Sequence, residues 1–214
     1  MTVHKGIDVS SFQGPVDAQA VHGAGRRFEI IKRSEGADVL DSRALDNQKN
    51  GRRANLHTGF YHFLHPRPGR SGKVEAEFFY KHVEGVKAGP GDGARLLRLA
   101  LDIEVTHFTG SAADVRKRTL DYSHAAMARL QEIAGHTPVL YTFPAFFADW
   151  GQRFAEYPLW IAHPGASHPT LPAPWHRYAI WQDNFKGRVP GVHGLVDTDL
   201  CPTLSPLILD RNEY

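Results

Sequence analysis

The stretch Leu97–Tyr141, LRLALDIEVTHFTGSAADVRKRTLDYSHAAMARLQEIAGHTPVLY, decides the fold class. It opens with an apolar run, Leu97–Ile103, of the length and residue type that suit a buried strand, and closes with a second, Pro138–Tyr141. Between them Ser111 can cap a helix over Ala112–Ala134 and Gly135 can end it. Val115, Tyr122, Met127, Leu130 and Ile133 mark an apolar stripe along that helix. A strand, a long helix and a strand in this order imply two parallel strands joined by a right-handed crossover.

The pattern continues on both sides. Strands are expected at Gly6–Val9, Phe28–Arg33, Gly59–Phe63, Leu159–Ala162, Tyr178–Gln182 and Leu195–Thr198, which makes eight with the two above. Further helices are expected at Asp17–Gly23, Arg43–Ala54, Gly72–Val86 and Ala145–Arg153, while only Pro- and Gly-rich connections join the last three strands. Alternation of this kind predicts parallel strands, and eight of them suit closure. The expectation is therefore an α/β fold: an irregular TIM-like barrel of five β/α units followed by three strands with few helices, in a single domain over 1–214. The GPGDG run from Gly89 to Gly93 has no phosphate-loop spacing and reads as a turn.

Composition narrows the function. The 214 residues are 42% hydrophobic and 22% charged, which excludes disorder, collagen and coiled coil. A formal net charge of +2 offers no strongly basic field, so no nucleic-acid partner is expected. No apolar run approaches the ~20 residues that cross a bilayer, so no membrane partner is expected either. The opening residues, MTVHKGIDVSSFQG, lack the apolar segment of a secretory signal, and no export signal is visible. Cys201, the single cysteine, reads as a small packed hydrophobe.

In a parallel barrel the working groups sit at the C-terminal ends of the strands. Asp8 follows Gly6-Ile7, Asp102 and Glu104 close the Leu97 strand, Asp197 follows Leu195-Val196, and Asp183 follows Ile180-Trp181-Gln182. Burying acids costs desolvation unless they are paired, and no Lys or Arg partner is evident at those ends. Asp102 and Glu104 stand two apart, with about 6.6 Å of rise between them, and so should face one cleft together. Carboxylates that close raise one another's affinity for a proton, which is how a general acid is made. Aromatic residues gather at the same edges: Phe12, Tyr61, Phe63, Tyr141, Phe143, Trp160 and Trp181. An acidic groove walled by rings suits sugars, whose C–H faces stack on aromatics.

Three other readings compete. Asp-x-Glu on a strand can open a two-metal nuclease site, but here about half of the chain precedes it. His57, His62 and His65 invite a metal site, yet their spacing fits no zinc signature. The groove could also bind glycan without cutting it.

In order along the chain, GIDVSSFQG at Gly6–Gly14, FEIIKRSEG at Phe28–Gly36, GFYHFLHP at Gly59–Pro66, LDIE at Leu101–Glu104, PVLYT at Pro138–Thr142, LWIAHPG at Leu159–Gly165, IWQ at Ile180–Gln182 and VDTD at Val196–Asp199 resemble the lysozymes of glycoside hydrolase family 25, the Chalaropsis-type N-acetylmuramidases. The resemblance implies one catalytic domain that hydrolyses the β-1,4 bond between N-acetylmuramic acid and N-acetylglucosamine. Its partner would be bacterial peptidoglycan. It implies a monomer without metal or cofactor, acting on the cell wall after secretion or phage release. It casts Glu104 as the general acid/base and Asp102 as the acid that orients or polarises the substrate's 2-acetamido group. Asp8 and Asp197 would be further pocket acids. Tyr61, Tyr141, Trp160 and Gln182 would line subsites, and Asp183 is a secondary candidate. Asp183 stands where relatives commonly have Tyr, Asp199 where Asn is frequent, and His163-Pro164 where small or aromatic residues are usual.

Overall fold

The computed structural model describes residues 3–88 and 93–214. The turn expected at Gly89–Gly93 lies, except for Gly93, outside the described residues. The strands are β1 (His4–Val9), β2 (Arg26–Glu35), β3 (Val39–Leu40), β4 (His57–Phe63), β5 (Ala100–Asp102), β6 (Val139–Thr142), β7 (Leu159–Ala162), β8 (Ile180–Gly187) and β9 (Val196–Cys201). The helices are α1 (Ala18–Gly23), α2 (Ala44–Arg53), α3 (Gly72–Lys81) and α4 (Ala112–Ala134). Sheet order runs β1-β9-β8-β7-β6-β5-β4-β2, and β1 also pairs with β2, so eight strands close into a barrel; β3 is an appended two-residue hairpin arm.

The expected α4 forms with the same bounds. Ser111 caps its start through Asp114 N–H, and Gly135 ends it at φ 66°, a left-handed conformation that glycine adopts without strain. Its stripe packs onto α3 and the outside of the sheet through Tyr122, Met127 and Leu130. The barrel interior is a separate apolar cluster that includes Phe28, Ile30, Leu97, Ala100, Val139, Trp160, Ile180 and Cys201. Gly6 is required there: a Cβ on it would stand 2.3 Å from the Phe28 ring.

The structure corrects several expectations. All neighbouring barrel strands from β1 through β8 run parallel by way of β2, but β9 is antiparallel to both β8 and β1. The Arg188–Leu195 connection is shorter than the dozen or so residues a parallel return needs. No helix forms at Ala145–Arg153. Gly151 takes φ 85°, and Trp150 is fully buried among Phe146, Phe147 and Phe154, leaving one 3-10 turn at Gln152–Phe154. The helix expected to reach Val86 stops at Lys81, and β5 keeps only three residues of Leu97–Ile103 because Leu97 bridges to Ile208.

Candidate active site

The mouth of the barrel is formed by the C-terminal ends of β1, β2, β4, β5, β6, β7 and β8 and, because of its reversed direction, by the start of β9. Asp8 near the end of β1 and Asp197 near the start of β9 stand directly opposite each other in the antiparallel register. Like charges so placed repel, and burial adds to the cost. Burial first, then Asp197, pushes the Asp8 carboxyl up to about 7, and burial followed by Glu104 pushes Asp197 up to about 6.

Asp102 is the last residue of β5, in register with Phe63 on one side and Tyr141 on the other. It is buried, and its Oδ1 has no hydrogen-bond partner among the described residues. Burial, then Glu104 and Asp8, hold its carboxyl well above the usual range. Glu104, two residues on and partly exposed, is raised mainly by burial. The four expected acids therefore share one cleft and sense one another's charge.

Aromatic rings and one amide tie the cleft together. Tyr141 and Tyr61 meet Trp160 edge to face at 4.7 Å and 6.0 Å. Tyr141 donates its hydroxyl hydrogen to Gln182 Oε1 at 2.9 Å, and Gln182 Nε2 donates to Asp8 Oδ2 at 2.6 Å. Asp183 does not join this network; its carboxylate accepts from the Thr198 hydroxyl at 2.8 Å instead. Trp181 also turns away, donating its indole N–H to the His163 carbonyl at 3.1 Å. The three histidines are dispersed. His57 lies by His4 and Arg95, His62 between Ser34 and Glu75, and His65 beside Glu35.

Two residues of the cleft have no site role in the sequence reading, which notes Asp199 only as a departure from the usual Asn. Lys32 is a cation close enough to pull down the proton affinities of both Asp102 and Glu104, so the acids do not lack a positive neighbour, as expected from the strand ends alone. Lys32 donates to Glu35 Oε2 at 2.6 Å and lies 4.9 Å from the centre of the Phe63 ring. The period-two signal was present: Phe28 and Ile30 face the interior, so the next inward position is 32. The other is Asp199, fully buried, which accepts the Trp160 indole N–H at 2.8 Å and sits diagonally across from Asp8 on the same face of β1 and β9. Its position two beyond Asp197 on one strand was the available signal.

With this geometry in place, comparison with known proteins is decisive. The model of the family described as glycosyl hydrolases family 25 matches residues 7–192. The chain belongs to family 25. Lysozyme M1 of Streptomyces globisporus is 32% identical over 90% of this chain and 66% of its own length. The N,O-diacetylmuramidase of a Chalaropsis species is 30% identical over 84% of this chain and 87% of its own. The autolytic lysozyme of Clostridium acetobutylicum matches over 55% of its length, so the chain spans less than two thirds of some family 25 relatives. Among solved structures, the lysozyme from Streptomyces coelicolor superposes with a TM-score of 0.80 at 29% identity, covering 95% of this chain and 94% of that one. A family GH25 lysozyme from Aspergillus fumigatus gives 0.77 at 26% identity, covering 94% and 95%.

Proposed function

We propose that the chain is an N-acetylmuramidase, one catalytic domain that cleaves the β-1,4 bond between N-acetylmuramic acid and N-acetylglucosamine in bacterial peptidoglycan. It works as a monomer on the cell wall and uses no metal. The observation that carries this reading is the convergence of Asp8, Asp102, Glu104 and Asp197 on one mouth walled by Tyr61, Tyr141 and Trp160. The names of its relatives, lysozyme and N,O-diacetylmuramidase, support the same substrate class.

Glu104 serves as the general acid. Partial burial keeps its proton in place, while its exposed side lets it reach a glycosidic oxygen in the cleft. As the bond breaks, positive charge develops at the anomeric carbon, and the ionised members of the acid cluster stabilise it. Asp102 orients the 2-acetamido group. Its Oδ1 lacks a donor in the free protein, and an acetamido N–H would supply one. That hydrogen bond favours the ionised carboxylate, which in turn polarises the amide so that its carbonyl oxygen can attack as an internal nucleophile. Tyr61 offers ring surface to the sugar, the buried Trp160 backs the Tyr61 and Tyr141 rings, and Gln182 holds Asp8 in place.

The test is to incubate the purified protein with peptidoglycan and identify the ends released. New reducing N-acetylmuramic acid is expected; reducing N-acetylglucosamine or free peptides would overturn the proposal.

A further inference from the structure

Asp199 is a second acid against Asp8 for which the muramidase scheme has no task. Asp197, Asp199 and Cys201 alternate inward along β9, and the Asp199 side chain is completely buried. Its Oδ1 accepts the Trp160 N–H, whereas no N–H or hydroxyl donor among the described residues reaches its buried Oδ2. Across the β1–β9 register it is the diagonal neighbour of Asp8 on the same face, with only Gly6 directly opposite it, and the two carboxyls lie close enough to couple. Two carboxylates cannot bond to each other without a proton between them.

We propose that Asp199 is a positioning residue for Asp8: it keeps a proton on Oδ2 and donates it to Asp8, holding that carboxylate oriented and ionised toward the cleft. The proton belongs on Asp199 because Asp8 already accepts from Gln182 Nε2, an interaction that favours the anion, whereas Asp199 is the more deeply buried of the two. A neutral carboxylic acid here presents an acceptor to Trp160 and a donor to Asp8. A carboxamide presents the same pair.

The groups facing the pair are consistent with a single retained proton. Asp197 on β9, Asp102 on β5, Glu104 beyond it and the tyrosines Tyr61 on β4 and Tyr141 on β6 bring acidic groups only. Arg26 on β2 is attracted by Asp199, but its guanidinium bonds to the Gly6 carbonyl and forms no ion pair with either acid among the described residues. Cys201 lies beyond Asp199 with its thiol pushed up to about 11, and so is neutral.

The inference rests on the muramidase reading, and its test has one arm that does not. Removing the donor by Asp199→Leu should lower kcat/KM about tenfold and move the acid limb of its pH profile up by about one unit, because Asp8 loses a hydrogen bond to its charged form. Asp199→Asn should return the limb to the parent position. An Asn variant whose limb moves down by a unit would show that Asp199 is ionised in the parent and overturn the proposal, as would a folded Leu variant with an unmoved limb. Independently of turnover, the infrared difference between parent and Asp199→Asn above neutral pH should contain the carbonyl stretch of one protonated carboxylic acid; its absence sinks the idea even if the Leu variant fails to fold. Failure of the muramidase reading would instead show as a parent that releases no reducing ends at any pH, leaving the infrared arm intact.

Discussion

Glu75 and Asp102 are buried almost equally and behave oppositely. Glu75, on α3 outside the barrel, receives three donors: His62 Nε2 at 3.2 Å, the His65 backbone N–H at 2.9 Å and the Tyr122 hydroxyl at 2.6 Å. Burial raises its carboxyl, yet those hydrogen bonds together hold it below the ordinary value. Asp102, inside the mouth, has an oxygen with no donor and like charges for neighbours, and its carboxyl is held high. Burial is common to both; the supply of donors separates a structural acid from a chemical one. An acid that a fold keeps buried and unsatisfied among other acids is available to a substrate.

Changes at the mouth should abolish chemistry while sparing the fold. Glu104→Gln removes the transferable proton but keeps the shape, so turnover should fall by about 10³-fold with glycan binding retained. Asp102→Asn should cost about 10²-fold. Reducing-end release and a pull-down on insoluble peptidoglycan check both; a Glu104→Gln protein that still cuts would remove the distinction between the two regions. Outside the barrel the expectation reverses. Glu75→Gln presents a donor where three donors already converge, and should cost about 2–4 kcal/mol of stability by denaturant unfolding. Because the folded Glu75 carboxyl lies below its ordinary 4.5, its contribution is present above that pH and fades as pH falls through the folded value.

How much of this could be read beforehand follows the same division. Local signals sufficed where local chemistry decides: Ser111 and Gly135 fixed both ends of α4, and Asp-Ile-Glu after an apolar run located half of the acid cluster. The direction of β9 is a property of the whole closed sheet, and Asp197 reaches the mouth from the start of its strand rather than its end, so the expected neighbour was right for a reason the strand-end rule did not contain. Ala145–Arg153 has helical composition, but burying Trp150 among three phenylalanines outweighs propensity. Lys32 went unnoticed and Asp199 was noted without a role because their importance depends on what stands opposite them, which strand periodicity alone does not supply. Asp183, chosen as an acid at the end of its expected strand, bonds to Thr198 and faces away from the neighbouring Gln182, because successive residues on a strand face different ways.

Glu29 sharpens the comparison from a third position. It is fully buried on β2 under α2, neither carboxyl oxygen has a partner among the described residues, and burial alone pushes it up to about 8. It resembles Asp102 in lacking donors but has no acidic neighbours and no access to the cleft. Between its ordinary 4.5 and about 8 the unfolded chain releases a proton that the folded chain retains, so stability falls as pH rises through that window. Glu29→Gln should therefore stabilise the protein by about 1–3 kcal/mol above pH 8, with little effect below 4.5. Thermal unfolding at the two extremes checks the sign; equal shifts at both would mean that the carboxyl is not held neutral.

The smallest effect is expected at the rim. Phe12 is 92% exposed, on a 3-10 turn immediately after β1, the strand that carries Asp8. The turn itself is firmly held: Ser10 and Gln13 form a reciprocal capping box, and Ser11 N–H donates to Asp41 Oδ2 at 2.7 Å. A rigid backbone thus presents a large apolar ring to water beside the mouth, an arrangement that contributes nothing to the core. A sugar stacked on it would gain roughly 0.5–1 kcal/mol. Phe12→Ala should accordingly raise KM about two- to fivefold, with the unfolding midpoint unmoved, since the ring packs against nothing that unfolding exposes. If KM stays constant, the substrate-facing surface ends at Tyr61, inside the mouth. A loss of stability would instead show that the ring supports the turn, placing Phe12 with Glu75 among the residues that hold the structure.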